Sequence, residues 1–286
     1  MRLLVTGAAG MLGADVLDAA MRGGHEVAAF AHTDLDITDQ DAVRRAFTAS
    51  RPDAVLNLAA YTNVDGAEGD RQAAFAVNGA APGHVARAAQ ECQAWTIHVS
   101  SDYVFDGTKR SPYLESDTTR PLSVYGASKL AGEQRVAREA PDSHTVVRSS
   151  WLFGLHGPCF PATMLRLAAE RDRLAVVDDQ VGCPTFTAHL AQALLAIATN
   201  PELRAELTGV VHLAADGECS WFQFAREILR DTGTAVDPAR TEDLGRPAPR
   251  PAYSVMRTER GPHVPRLPDW REGLAAYLAA GRVQGA

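Results

Sequence analysis

The chain has 286 residues, 46% hydrophobic and 22% charged, with a formal net charge of −7. This composition fits a globular protein with room for one large unit or two modest ones, and it excludes a disordered chain. The negative balance argues against an extended nucleic-acid footprint, and no apolar run approaches the ~18 residues of a membrane span.

The N-terminal MRLLVTGAAG passes directly into a glycine loop and lacks the hydrophobic core and cleavage region of a secretory signal. A cytoplasmic protein with no membrane partner is expected. Cys92, Cys159, Cys183 and Cys219 are far apart and form no CxxC. They predict buried or partly buried thiols, not a zinc site or a disulfide framework.

In chain order, RLLVTG reads as strand and Met11 to Arg22 as helix. EVAAF is strand, followed by a helix from Asp39 to Ala49. DAVLNLAA is strand, with one helix from Gln72 to Cys92. WTIHVSS is strand, then helix from Tyr125 to Glu139, then HTVVRSS as strand. Strands alternating with helices predict a parallel sheet covered on both faces. The second half is less regular. LAVVDDQVGCPT reads as a strand running into a loop, TAHLAQALLAIATN as a helix capped by Thr187, and GVVHLAA as strand. SWFQFAREILRDTG reads as a helix with Ser220 as cap and Gly233 as stop, and DWREGLAAYLAAG as a closing helix. RPAPRPAYS is too rich in proline for regular structure. The expected fold is an α/β, Rossmann-like doubly wound parallel sheet with a smaller C-terminal substrate-binding lobe. The nucleotide-binding unit is expected over residues 1–155. The lobe is expected over 156–286, with some of its elements returning to pack on the sheet.

Ligands on such sheets sit beyond the carboxyl ends of the strands. VTGAAGMLG follows the first strand and opens a helix, with Gly7, Gly10 and Gly13 spaced three apart. That spacing suits a tight turn, close backbone approach to a pyrophosphate, and a helix N-terminus favouring the anion. The second strand ends in AAFAHTDLD. Phe30 and Ala31 occupy the place where an acid would hold a ribose 2′-hydroxyl, and His32 can donate to a 2′-phosphate. NADPH is therefore favoured, with NADH kept open by Asp34. Asp36 and Ile37 are expected against the adenine.

SVYGASKLAGE places Tyr125 and Lys129 on one helix face. An ammonium beside a phenol favours the phenolate, so the pair is expected to bring the tyrosine pKa down toward working pH. The preceding strand ends in Ser100 and Ser101, whose hydroxyls can hydrogen-bond a carbonyl and its developing oxyanion.

Glycine loop, strand-end serine and YxxxK, in that order, resemble the extended short-chain dehydrogenase/reductases. NLAAYTNVDGAE, VSSDYVFDG, YGASKLAGE, RSSWLFG, DDQVGCPT and RPAPRPAYS narrow the resemblance to the dTDP-4-dehydrorhamnose reductase family. The resemblance runs from Met1 to about Arg257. It implies reduction of the 4-keto group of dTDP-4-dehydro-L-rhamnose to dTDP-L-rhamnose. Ser101, Tyr125 and Lys129 would be catalytic, Tyr125 as the proton donor and Lys129 as the holder of the nicotinamide ribose. Gly7, Gly10, Met11, Leu12 and Gly13 would carry the pyrophosphate, with Ala59, Ala60 and Tyr61 lining the cofactor. Asn63, Val64, Asp65, Asp102, Tyr103 and Trp151 would surround sugar and nicotinamide. Gln180, Pro184, Thr185, Arg250 and Ser254 would belong to the nucleotide-sugar lobe, with Arg250 as the diphosphate candidate. Ser101 stands where the family commonly has threonine, and Gly66 where relatives often have lysine or arginine. Some relatives bind a divalent ion such as Mg2+ between paired subunits, and Asp15 lies in that neighbourhood with no recognisable partner acids. The oligomeric state is not readable from the sequence, and a homodimer is kept open. Three alternatives stay open: a reductase of another nucleotide-linked 4-ketosugar, a regulatory subunit of the methionine adenosyltransferase type, and an epimerase or dehydratase of the same branch, with Asp102 near the place of its extra acid or base.

Overall fold

The computed structural model describes residues 1–284; the last two residues of the expected second unit, 285 and 286, lie outside the described residues. The first half runs β1 (Arg2–Thr6), α1 (Met11–Arg22), β2 (Glu26–Phe30), α2 (Gln40–Ser50) and β3 (Ala54–Asn57). It continues with α3 (Val64–Gly69), α4 (Arg71–Ala74), a π-helical turn (Phe75–Ala80), α5 (Ala81–Glu91), β4 (Trp95–Ser101), α6 (Val124–Glu139) and β5 (His144–Ser149). The second half adds β6 (Leu152–Phe153), α7 (Phe160–Glu170), β7 (Arg173–Val177), β8 (Val181–Gly182), β9 (Thr185–Phe186) and α8 (Thr187–Thr199). It ends with α9 (Pro201–Glu206), β10 (Gly209–His212), β11 (Cys219–Ser220), α10 (Trp221–Ile228), β12 (Ala235–Ala239) and α11 (Trp270–Gln284).

The main sheet has six strands in the order β10-β5-β4-β3-β1-β2, every neighbouring pair parallel. Alternation along β1 divides the core. Leu3 and Val5 pack with Leu12 and Val16 of α1 and Leu190 and Leu194 of α8 on one face. Leu4 packs with Val43 and Phe47 of α2 and Val85 and Ala89 of α5 on the other. This is the doubly wound arrangement that the alternating pattern predicts. Two elements from the second half of the sequence complete it: α8 covers one face, and β10 pairs with β5 through Val210↔Val146 and Val211↔Val147. A separate core gathers Phe153, Leu174, Val176, Phe224 and Trp270 under the remaining C-terminal elements.

Three local expectations are corrected. The helix expected from Gln72 to Cys92 is not continuous: the π turn interrupts it. Pro82 has no N–H to return to Asn78 O, so the α ladder cannot close there. Thr187 does not cap α8. It is the first helical residue, and its hydroxyl donates to Phe153 O at 3.1 Å. Ser220 does cap α10, in a reciprocal box with Gln223, but that helix ends at Ile228, before Gly233. The proline-rich RPAPRPAYS segment is irregular, as expected. Among the described residues, no helix is long and apolar enough to cross a membrane.

Candidate active site

The glycine loop is shaped by close backbone contact. Gly7 has φ +67°, and a Cβ there would lie 2.7 Å from Ala59 N and 2.8 Å from Leu58 C. A Cβ on Gly13 would lie 2.3 Å from Gly7 O. Gly10 is the N-cap of α1 and, being glycine, offers no side-chain acceptor to the first-turn N–H groups. These features fit a pyrophosphate at the helix N-terminus. Leu12 and Ile37, both expected at the cofactor, hold their side chains in the core. They lie in the cores on the two sheet faces, so it is their backbone that borders the glycine loop and the turn after β2. His32 is exposed. Asp34 accepts from Ala31 N at 2.9 Å and closes the turn after β2. Asp36 accepts from both the backbone and the hydroxyl of Thr38, which lower its pKa.

Asn78, in the π turn, organises the next loop. Its Oδ1 accepts from Tyr61 N at 2.8 Å. Its Nδ2 donates to Tyr61 O at 3.0 Å and Ser128 Oγ at 3.1 Å. One buried amide thus ties the Ala59–Ala60–Tyr61 loop to α6 beside Lys129. Sequence reading missed this residue. Its signal was Pro82, a proline inside a helical pattern, and π bulges gather at functional sites. Asn63 caps α3 by accepting from Gly66 N, and Val64 begins that helix. A side chain at Gly66 would meet the Asn63 amide at 2.5 Å.

Ser101, Tyr125 and Lys129 come together where β4 ends and α6 begins. Ser101 Oγ donates to Asp102 Oδ1 at 3.0 Å and accepts from Tyr103 N at 3.2 Å. The Tyr125 ring meets the Tyr103 ring edge-on, centroids 5.4 Å apart, and Ser101 is the neighbouring hydroxyl that tempers its pKa. Lys129 is 2% exposed, and its Nζ donates to Val99 O at 2.7 Å. Burial lowers its pKa to about 8. The expected lowering of the Tyr125 pKa is corrected: burial pushes it up to about 12, against a smaller lowering by Ser101. Lys129 is turned to a backbone carbonyl, so the phenol is held protonated. Asp102 is also buried, which raises its pKa to about 6.

The second half supplies one wall. Trp151 has φ +47°, a strained conformation for a bulky residue. Its indole stacks on Trp221 with centroids 3.6 Å apart and planes 5° apart. It also packs on Gly182, where a Cβ would lie 2.5 Å from the ring. Trp221 was not singled out from sequence, although its neighbour Ser220 was read as a cap. Arg250 forms a forked pair with Asp65 from α3, and the Tyr103 phenol lies beside the same guanidinium. Arg250 is therefore matched by a carboxylate and is not a free diphosphate cation. Thr185, also expected against the substrate, lies in β9. It is fully buried, its hydroxyl donating to Cys183 O and accepting from Ala215 N. Gln180 is also buried and donates to Thr241 Oγ1.

Among the described residues, no group of three or more His, Cys, Asp or Glu side chains is placed to hold a metal ion. Asp15 is buried with its Oδ1 3.7 Å from His156 Nε2 and its Oδ2 unpartnered. One carboxylate and one imidazole are fewer donors than an ion such as Mg2+ takes, so this chain alone does not complete such a site. A cleft of about 880 Å³ opens at the other end of the sheet, lined by Arg2, Arg44, Arg51 and Arg204. Arg2 pairs with Asp53 and Arg44 with Glu91, which matches two of its four arginines.

The family model for the RmlD substrate binding domain matches residues 1–283. The chain is 44% identical over 288 residues to a dTDP-4-dehydrorhamnose reductase of Mycolicibacterium smegmatis, covering 98% of this chain and 85% of that protein. It is 43% identical over 265 residues to a dTDP-4-keto-6-deoxy-D-glucose reductase of Streptomyces niveus, covering 89% and 88%. The crystal structure of a Bacillus anthracis dTDP-4-dehydrorhamnose reductase in complex with NADP matches it with a TM-score of 0.92 and 35% identity, covering 98% of this chain and 99% of that one. The glycine cradle, the serine–tyrosine–lysine cluster and these near-full-length matches agree: the chain belongs to the dTDP-4-dehydrorhamnose reductase family.

Proposed function

We propose that the protein is an NADPH-dependent oxidoreductase that reduces the 4-keto group of dTDP-4-dehydro-L-rhamnose to dTDP-L-rhamnose. The observation that carries this reading is the meeting of Ser101, Tyr125 and Lys129 beside the glycine loop. The nicotinamide cofactor, when bound, supplies the hydride. Gly7, Gly10 and Gly13 clear the space for its pyrophosphate, and the first-turn amides of α1 face it. His32 is the residue placed to favour the 2′-phosphate, with NADH as a second cofactor.

Tyr125 carries the proton. Its raised pKa keeps the phenol intact at neutral pH, ready to protonate the alkoxide formed at C4. Ser101 turns its O–H from Asp102 to the same oxygen and stabilises the developing charge. Lys129 holds the ribose, and its ammonium offsets the phenolate left on Tyr125. Trp151, Tyr103 and the Asp65–Arg250 pair bound the sugar side. We assign residues 1–155 to the nucleotide unit and 156–286 to the substrate lobe, with α8 and β10 returned to the sheet. We place the enzyme in the cytoplasm, as a homodimer.

The S. niveus relative acts, by its name, on a different 4-ketosugar, so a related deoxysugar is the second reading. Loss of NADPH absorbance is measured with dTDP-4-dehydro-L-rhamnose made in situ and, separately, with dTDP-4-keto-6-deoxy-D-glucose. Stoichiometric loss with dTDP-L-rhamnose as product supports the first reading. Turnover of the second sugar alone replaces it. Tight NADPH binding with no turnover of either sends the protein to the regulatory class.

A further inference from the structure

Beneath Lys129 lies a buried ion pair that the chemistry above does not use. Glu133 is one turn further along α6 and 4% exposed; Arg148 is on β5 and 4% exposed. Arg148 Nε donates to Glu133 Oε1 at 3.0 Å and Nη2 to Oε2 at 2.7 Å. Ser100 Oγ donates to the same Oε1 at 2.5 Å. Arg148 also lies over the Phe105 ring, 5.2 Å from its centroid, with Nη1 3.4 Å from His212 Nε2. A buried ion pair is not stabilising by default, because apolar residues of similar volume often serve the fold as well or better. Its position gives it another role.

Two relationships connect it to the site. Ser100 precedes Ser101, so the Ser100–Glu133 bond locks the end of β4 to α6 where Ser101 and Tyr125 must meet. Glu133 is also the carboxylate on the Lys129 face of α6, and it favours the ammonium that burial disfavours. Of the other charged or titratable groups near the Lys129 end of α6, His98 on β4 feels the ammonium and is kept neutral by burial, Tyr125 lies one turn back on α6, Asp102 follows β4, and Arg148 on β5 is held by Glu133. Glu68 of α3 accepts from Val124 N at the start of α6, and Arg87 of α5 pairs with Glu139 at its far end. Without Glu133, Lys129 would lose the carboxylate that favours its ammonium, and Arg148 would be left buried with no carboxylate partner.

We propose that Glu133, held by Arg148 and Ser100, is a positioning residue of the reaction: it keeps Lys129 in its ammonium form and sets the strand-end hydroxyl against Tyr125. This rests on the catalytic reading given above. The test is a pair of substitutions with opposite signs. Glu133→Gln removes the attractive charge and leaves Arg148 unmatched; Arg148→Met leaves the carboxylate unmatched. Lys129 titration is followed by NMR of lysine-labelled protein, in which only Lys109 and Lys129 carry label. The expected result is a displacement of the Lys129 titration by about one pH unit or more, downward in E133Q and upward in R148M, with the alkaline limb of kcat moving the same way. Ser100→Ala, which keeps both charges, lowers kcat and leaves the titration in place. The downward displacement in E133Q is the deciding one, since packing damage that admits water would relieve burial and raise the Lys129 pKa; Glu133→Asp, which keeps the charge, should leave the titration nearer to wild type. An unmoved titration, or displacement of both variants in one direction, overturns the proposal. The titration needs no turnover. A wild-type protein that consumes no NADPH with any ketosugar overturns the catalytic reading instead.

Discussion

Arg250 and Asp65, 185 residues apart in sequence, are joined by two parallel hydrogen bonds, Nη1 to Oδ1 at 3.0 Å and Nη2 to Oδ2 at 2.9 Å. The pair fastens the proline-rich loop of the second half to α3 of the first. Its side chains are 10% and 30% exposed, so it is shielded more than a surface bridge. A double-mutant cycle of Arg250→Met and Asp65→Asn should give a coupling of about 1–3 kcal/mol in urea unfolding. The Arg250 hydrogen bond lowers the Asp65 pKa. The coupling is therefore full above the ordinary carboxylate range and is lost as pH falls through the depressed value. A coupling near zero at pH 7 would mean that the fork contributes nothing to joining the halves.

Tyr125→Phe should lower kcat by about 10²–10⁴-fold and leave NADPH affinity within a small factor of wild type. Rates come from NADPH absorbance and affinity from cofactor fluorescence. Retention of most of the activity would remove Tyr125 from the proton-donor role.

The pH profile should fall on the alkaline side. Lys129, lowered to about 8 by burial, loses its proton as pH rises through that value. Both ribose holding and support of the phenolate weaken with it. A kcat that stays flat from pH 7 to about 10, the range of an unperturbed lysine, would contradict this.

Asp102→Asn should stabilise the protein at pH 8 and have little effect near pH 4. Burial raises the folded pKa of Asp102 to about 6 from 3.8, so ionising it costs stability that appears as pH rises through the interval. The gap should reach at most about 3 kcal/mol above pH 6 and close below pH 4. Thermal unfolding of both proteins across this range measures it. A gap of the opposite sign would show that the ionised carboxylate has favourable partners.

Gly182→Ala should move the Trp151 indole, because the added Cβ would stand 2.5 Å from its ring. The expected result is a drop of about ten- to a hundredfold in kcat/KM for the nucleotide sugar, with NADPH affinity unchanged and tryptophan fluorescence altered. An unchanged kcat/KM with altered fluorescence would place Trp151 outside the sugar site.

The alternating half of the fold was legible because each strand is a short apolar run and each helix has its own start signal. β10 and α8 were recognised as strand and helix, but their return to the first half was anticipated only in general terms. Parallel pairing across 60 residues leaves no local mark, and Val211 reads the same on either sheet. Ser101, Tyr125 and Lys129 were visible through spacing. The direction of the Tyr125 shift was not, because helix spacing places a lysine nearby but cannot report how deeply both are buried. Asp65 and Arg250 were each assigned to ligand. Their opposite charges make them partners of each other, which only the tertiary contact reveals. Asn78 was hidden because a π turn looks like helix in any hydrophobic pattern.

The seat of β10 on β5 has a consequence for how this protein can be cut or recombined. β5 is buried along its whole length, and its outer rim is covered only by a strand encoded some 60 residues later. A fragment ending near residue 155 would bare that rim as an apolar, hydrogen-bond-hungry ribbon, inviting association with other chains. The lobe is thus no detachable cartridge. Exchanging it between relatives to change the sugar would also have to transplant the lock that keeps the nucleotide half from sticking to itself.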